Sequence, residues 1–272
     1  MDSSRKQTYA APALTKGLDI LEMMAAEPAA LSLREIADKL GRSKSEIFRM
    51  LVVLDERGYI KFDSASEKYA MSLKLFEVAH QHSAVKKLTA IAGPLMEELV
   101  NTIGQSCHLA IREGGKALVI AQQDTTSQFR FGVKLGLEVP LTNTCSGHLF
   151  LTYNSPAERK KMLSQQPKHL KQALSAAALK KITNDVESRG YEILKSQQVH
   201  GVTDIGFPVF DSKSTIVASL VVPFLEHLDG SHHMNLDTAK GHLQDTAKAI
   251  STLLGHQPGP EDTRVQDTGL LP

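Results

Sequence analysis

The 272-residue chain has no tryptophan, two cysteines and few aromatics, 5% in all. Each shortage excludes something. Cys107 and Cys145 are too few and too far apart for a disulfide framework, and neither belongs to a CxxC pair. So small an aromatic supply leaves little on which single-stranded nucleic acid could stack. No run of 18 apolar residues occurs, so no membrane-spanning helix is expected. The N-terminus, MDSSRKQTYAAPALTK, lacks the apolar stretch of a signal peptide, and a cytoplasmic location is the expectation. An excess of one charge is missing too, since 31 basic and 30 acidic residues leave a net of +1. That excludes a polybasic coat, so any nucleic-acid surface has to be local. Neither a P-loop nor a G-x-G-x-x-G motif occurs; Gly201 to Gly206 lacks the middle glycine. No internal repeat is visible either.

What remains is a globular composition, 42% hydrophobic and 22% charged, long enough for one large domain or two modest ones. The first stretch is dense in helix signals. Leu14, Leu18, Leu21 and Met24 or Ala25 recur at helical spacing, with Pro28 beyond the helix end. Ser32-Leu33-Arg34-Glu35 reads as a capping box, in which Ser and Glu each satisfy an orphan backbone N–H. Leu33, Ile36, Ala37 and Leu40 follow as an apolar face, and Gly41 ends the helix. Ser43-Lys44-Ser45-Glu46 is a second capping box. The helix behind it is expected to turn Ile47, Phe48, Leu51, Val52 and Leu54 inward, with Gly58 at C′. Tyr59–Phe62 and Lys68–Met71, on either side of a polar turn, read as a β-hairpin wing. Three helices and a wing make a winged helix-turn-helix.

The second helix of such a motif enters the DNA major groove N-terminus first. With Lys44 at zero and about 100° per residue, Ile47, Leu51 and Leu54 share a buried arc, and Ser45 and Arg49 lie on the open side. Arg42, Ser43 and Lys44 surround the helix N-terminus, where free N–H groups also welcome a phosphate. Arg34 on the preceding helix and Lys68 in the wing complete the expected DNA-contacting set. Residues 39–50 carry four basic residues against Glu46, a local excess of three, although residues 1–85 hold 12 of each sign.

Beyond residue 105, hairpins are expected over 106–111 with 117–122 and over 202–210 with 215–222, and helices over 156–164 and 175–189. Strands from distant segments separated by helices suit an α+β sheet domain. The expected division is 12–73 for the winged helix-turn-helix, 74–89 for a joining helix, 90–255 for a second domain and 256–272 for a disordered tail.

The ordered series of motifs resembles the IclR-type bacterial transcriptional regulators. In the N-terminal part it runs through Gly17-Leu18-Asp19-Ile20-Leu21, Leu33-Arg34-Glu35-Ile36-Ala37, Phe48-Arg49-Met50-Leu51 with Leu54, Gly58-Tyr59-Ile60 and Tyr69. In the C-terminal part it continues through Gly136, Pro140-Leu141, Ser146-Gly147, Arg189-Gly190-Tyr191, Gly201-Val202 and Pro208-Val209-Phe210-Asp211. The resemblance covers about residues 12–254. It implies a GAF-like α/β effector domain with a curved antiparallel sheet and a small-molecule cavity. It also implies a homodimer, often a dimer of dimers, reading a palindromic operator on double-stranded DNA as repressor or activator. The chain departs from the family pattern at His148, where a Lys is usual. It departs again at Asp204, a pocket position often held by a small or thiol residue, and at Val221, where a polar Ser can stand.

The loop Asn143-Thr144-Cys145-Ser146 precedes a helix expected to begin near Gly147, so its N–H groups and hydroxyls converge on one spot that favours an acceptor or anion. Asp204 is expected to approach from the hairpin after Gly201, with Val221 as an apolar wall. A ligand meeting both ends needs an acceptor and a donor, as a hydroxy or amino acid has. The alternative for Asp204 is structural, accepting from backbone N–H groups or pairing with Arg130 or Lys134.

Other readings stay open at this level. One is a ligand-binding or interaction protein that no longer binds DNA. Another is a hydrolase using Cys145 with His148 or His108, although no G-x-S-x-G elbow surrounds them. His108, Cys145, His148, His200 and Asp204 are also zinc-ligand types, but only Cys145 and His148 are close in sequence. No cofactor is expected. His232-His233 reads as an exposed loop, and His80 and His82 as solvated.

Overall fold

The computed structural model describes residues 11–80, 83–196, 199–226 and 234–257. The expectations for His82, for His232-His233 and for the tail beyond residue 257 lie outside the described residues, as does the side chain of His80. Contacts divide the chain into two units, Met1–Ser83 and Ala84–Pro272.

In the first unit, α1 (Pro12–Ala25), α2 (Leu33–Leu40) and α3 (Lys44–Glu56) pack beside a small antiparallel sheet. That sheet has the order β1-β3-β2, from β1 (Leu31–Ser32), β2 (Ile60–Asp63) and β3 (Lys68–Met71). Both capping boxes form as expected. Ser32 accepts from the Glu35 N–H and Ser43 from the Glu46 N–H, and each Glu reaches back to the cap N–H. Gly41 and Gly58 take the positive φ that lets the chain leave each helix sharply. Ile20, Leu21, Met24, Ile36, Ala37, Ile47, Leu51, Ile60 and Tyr69 form the core.

Four inward assignments are corrected. Leu14 and Leu18 are exposed, because α1 buries its Ile20, Leu21 and Met24 side. Phe48 and Val52 are also exposed. At about 100° per residue Phe48 sits about 100° round from Ile47 and Val52 about 100° round from Leu51, toward the Ser45–Arg49 side of α3.

The stretch expected as one joining helix is covered by α4 (Lys74–His80) and by the start of α5 (Ser83–Ile103), with residues 81–82 between them outside the described residues. Far from ending near residue 89, α5 runs into the core of the second unit through Ala92, Met96, Leu99, Val100 and Ile103.

The second unit is one six-stranded antiparallel sheet of order β6-β5-β4-β9-β8-β7. Its strands are β4 (Cys107–Glu113), β5 (Lys116–Gln123), β6 (Glu138–Val139), β7 (Glu192–Lys195), β8 (Val202–Phe210) and β9 (Ile216–Leu225). The expected hairpins are β4–β5 and β8–β9. Side chains alternate across the sheet. Cys107, Leu109, Ile205, Phe207, Val209, Leu220, Val222 and Phe224 join a core with α5 and α9 (Leu236–Leu253). The opposite face meets α6 (Cys145–Thr152), α7 (Pro156–Ser164) and α8 (Ala176–Arg189), where Ala110, Val119 and Ile216 pack with Leu149, Phe150, Met162 and Val186. Helix α6 is buried along its whole length and lies on the sheet.

Candidate functional site

Two places in the chain gather chemistry, one in each unit. In the first, α3 exposes Lys44, Ser45, Phe48, Arg49 and Val52. Its N-terminus is rigidly made. Glu46 holds the Ser43 cap and an ion pair to Lys16 of α1 at 2.6 Å. The Lys16 hydrogen bond, aided by Ser43, pulls its carboxyl down to about 2. The expected DNA-contacting residues differ in freedom. The Ser43 hydroxyl is engaged by its cap, and Arg42 lies 3.4 Å from Asp19. Arg34 lies 3.6 Å from Asp38 on the outside of α2. Lys68, half-buried on β3, acts on the Glu35 carboxylate. Arg49 is exposed, its Nε 3.4 Å from the Ser45 carbonyl one turn earlier. Phe48 and Val52 were missed as surface residues, although the helical wheel that put Arg49 outside puts them beside it.

In the second unit a cavity of about 80 Å³ opens at the N-terminus of α6. At ~10–15 Å³ each, that is room for roughly five to eight water-sized groups. Asn143, Thr144, Cys145, Ser146, Asp204 and Val221 all line it. So do His108 and the apolar Phe131, Val133, Leu137 and Val139, which the sequence reading did not assign to it. Register explains the sheet side: His108 of β4 pairs with Val221 of β9, which pairs with Gly206 of β8. These three share a face with Asp204, two residues along β8. Gly206 is there because α6 sits so close. A Cβ would meet Val221 and Leu149 side chains at 3.0 and 3.1 Å and the Cys145 Cβ at 3.4 Å.

The helix start is one turn element built from several bonds. It begins at Cys145, two residues before the expected point, with Thr144 as N-cap. The Thr144 hydroxyl donates to the Pro140 carbonyl at 2.6 Å and accepts from the Gly147 N–H at 3.1 Å. Gly147 admits the incoming loop: a Cβ there would lie 2.4 Å from Leu141 backbone atoms. His148 clamps the same loop. Its Nε2–H donates to the Thr142 carbonyl at 3.0 Å, and its Nδ1 lies 2.6 Å from the Glu192 carboxyl. Glu192, also buried, accepts from Arg189 at 2.9 Å and from the Ile193 N–H at 2.8 Å. Glu192 had no signal in the sequence, since its partner lies 44 residues away.

These bonds engage both ring nitrogens of His148 with Glu192 and Thr142 and not with Cys145, against the Cys145–His148 pair suggested above. The Cys145 Sγ lies 3.3 Å from the Asp204 carbonyl and 3.7 Å from that of Glu192. Burial, reinforced by the Asp204 and Glu192 charges, holds its thiol well above its ordinary range. His148 faces Glu192 instead. Among the described residues no cluster of three or more metal-ligand types forms, and His200 is exposed. Asp204 forms no side-chain hydrogen bond or ion pair among the described residues; Arg130 pairs with Asp124 at 3.5 Å. Burial raises the Asp204 carboxyl to about 6 and lowers the His108 imidazole to about 4.

Comparison with known proteins covers both units. Residues 13–64 match a family model described as the IclR helix-turn-helix domain, and residues 80–252 match the model described as bacterial transcriptional regulator IclR C-terminal. The HTH-type transcriptional regulator KdgR of Escherichia coli K12 is 25% identical over 258 residues, covering 94% of this chain and 97% of its own length. The HTH-type transcriptional repressor AllR of the same strain is 26% identical over 256 residues, 92% of this chain and 93% of its own. A crystal structure of Thermotoga maritima IclR aligns with a TM-score of 0.70 at 24% identity, over 89% of this chain and 98% of its own. An IclR homologue from Microbacterium hydrocarbonoxydans, complexed with 4-hydroxybenzoate, aligns with a TM-score of 0.72 at 19% identity, over 89% and 98%.

Proposed function

The chain belongs to the IclR family of bacterial transcriptional regulators, with an N-terminal helix-turn-helix DNA-binding domain and a C-terminal effector-binding domain, and from that premise we propose that the α6 cavity is its effector site. The observation that carries this is the convergence of six residues from two distant segments, Asn143–Ser146 and the β8–β9 hairpin, on one cavity at a helix N-terminus. The N–H groups there favour a carboxylate or other acceptor. Asp204, with no structural partner, supplies the opposing acceptor. The effector is then a small hydroxy or amino acid. The same fold accommodates an organic acid in the Microbacterium homologue, which is described as a 4-hydroxybenzoate complex.

On the DNA side, Arg49 with Phe48 and Val52 reads bases from the open face of α3, and Lys44 with Arg42 holds the backbone. Ser45, Arg34 and Lys68 flank that surface. The protein works in the cytoplasm as a homodimer, or a dimer of dimers, on a palindromic operator, and the reading needs no catalytic residue. The exposed Leu14 and Leu18 of α1 and Leu73 and Phe76 around α4 are the apolar surface for pairing.

Coupling requires the effector to contact the two states differently. Asp204→Ala is therefore expected to abolish the effector's change in operator affinity while operator binding without effector is kept. An effector found by thermal-shift screening of a metabolite library supplies the probe, and operator titration reads the result. If Asp204→Ala leaves the effector response intact, the cavity is not the effector site.

A further inference from the structure

His108 is the group in the second unit that its own surroundings explain least. It stands on β4 with 6% of its surface exposed, among the walls of the α6 cavity. Its Nδ1 is sealed from solvent and has no hydrogen-bond partner among the described residues. Asn143 lines the same cavity, and its Oδ1 is buried and unpartnered in the same way. Buried polar atoms are nearly always paired, and one left alone weakens the fold. Two residues carrying such atoms line one cavity beside an Asp204 carboxyl with no side-chain partner among the described residues, which suits a site completed by a bound molecule.

We propose that His108 selects the ligand of this cavity by hydrogen-bonding a hydroxyl group, so that the site takes small 2-hydroxy acids in preference to their 2-keto counterparts. The inference rests on the cavity being the effector site and adds the chemical class it accepts. With its pKa lowered to about 4, the imidazole is neutral at physiological pH, offering one donor and one acceptor nitrogen. A hydroxyl matches either nitrogen, because it both donates and accepts. It can also donate to Asn143 Oδ1 or Asp204. A keto oxygen only accepts, so it leaves those acceptors unmet. Sites built around a hydroxyl reject the analogue that lacks its donor, because buried polar groups are then stranded. The carboxylate that both acids share goes to the N-terminus of α6.

The test is calorimetric titration of the full chain with lactate, glycerate, pyruvate and alanine, for wild type, His108→Phe, His108→Gln and Asp204→Asn. Wild type is expected to bind lactate or glycerate about tenfold or more tighter than pyruvate. His108→Phe should erase that preference, and His108→Gln, which keeps a donor and an acceptor, should restore part of it. His108→Phe should also melt at least as high as wild type without ligand, by up to about 2–4 °C, since it removes an unpaired buried nitrogen. A merely structural histidine would melt lower. Pyruvate or alanine bound best by wild type, no binding of any of the four acids, or a preference that survives His108→Phe overturns the proposal. If Asp204→Asn weakens binding and His108→Phe does not, the cavity stands as the effector site and the role of His108 falls. An acid bound equally by wild type and both of these variants refutes the site itself.

Discussion

His108 and Asp204 line one cavity and titrate in opposite senses, so each has its own signature in stability against pH. Asp204 is raised from 3.8 to about 6 by burial, so between those values the folded chain holds more protons than the unfolded one. Stability from this group is therefore present at low pH and lost as pH rises from about 4 to about 6. His108 is lowered from 6.5 to about 4, so in that window the folded chain holds fewer protons. Its contribution is present near neutrality and lost as pH falls from about 6.5 to about 4. Each effect is of order 1–3 kcal/mol at full extent, and over the shared window they largely offset. Asp204→Asn should expose the His108 slope, giving a chain more stable than wild type at pH 7 and more acid-sensitive below 6. His108→Phe should expose the reverse slope. Urea titrations between pH 4 and pH 7.5 check both; parallel curves for all three proteins would mean that neither group is desolvated as described.

At the scale of elements, α6 and α3 are both set by their first turns, and in both the cap serves the site. Helix α6 reaches the sheet because Gly147 lets the Pro140–Thr144 loop press against it and Gly206 leaves room opposite Cys145. Gly147→Ala forces a Cβ to within 2.4 Å of the Leu141 backbone. The expected cost is about 2 kcal/mol or more in denaturant unfolding, and the variant should lose ligand binding even where it still folds. Glu192→Gln leaves the loop clamp with weaker hydrogen bonding to His148 and Arg189, the two side chains it meets. In α3 the capping glutamate is tied to α1, so Arg49 and Lys44 project from a fixed helix start. Arg49→Ala should cost about 1–3 kcal/mol on the cognate operator and relax its sequence preference. Lys44→Ala should weaken cognate and random duplexes alike and flatten the salt dependence by about one phosphate contact. Equal losses on both duplexes for the two variants would mean that Arg49 reads no base.

For the whole molecule, the helix-turn-helix unit is electrically neutral, with 12 residues of each sign over residues 1–85. One copy covers one half-site, and so few net charges give it little non-specific grip. In the proposed homodimer, two copies related by symmetry would supply what one lacks. Leu14 on α1, at 64% exposure, and Leu73 just ahead of α4, at 76%, leave apolar surface near both ends of this unit's sequence. Sedimentation at micromolar concentration should therefore show a dimer or larger. A double Leu14→Glu, Leu18→Glu substitution should weaken operator binding far more than half-site binding. A monomer both with and without operator would refute the paired arrangement.

What the sequence by itself determined was local. The capping boxes at Ser32–Glu35 and Ser43–Glu46, the glycines that close α2 and α3, and the hairpins β2–β3, β4–β5 and β8–β9 rest on groups within a few residues of one another, so their spacing is enough to read them. The cluster Asn143–Ser146 was legible because capping and helix N-termini are local as well. Tertiary structure decided what depends on distant partners. It chose which side of α1 is buried, turned Phe48 and Val52 outward, and paired the short β1, β6 and β7, whose two to four residues carry no periodicity of their own. It set His148 against Glu192 and so took it away from Cys145. It brought His108 onto the same sheet face as Asp204 through the β4–β9–β8 register, which is fixed by packing both faces of the sheet at once, since a slip of one residue would exchange the two faces.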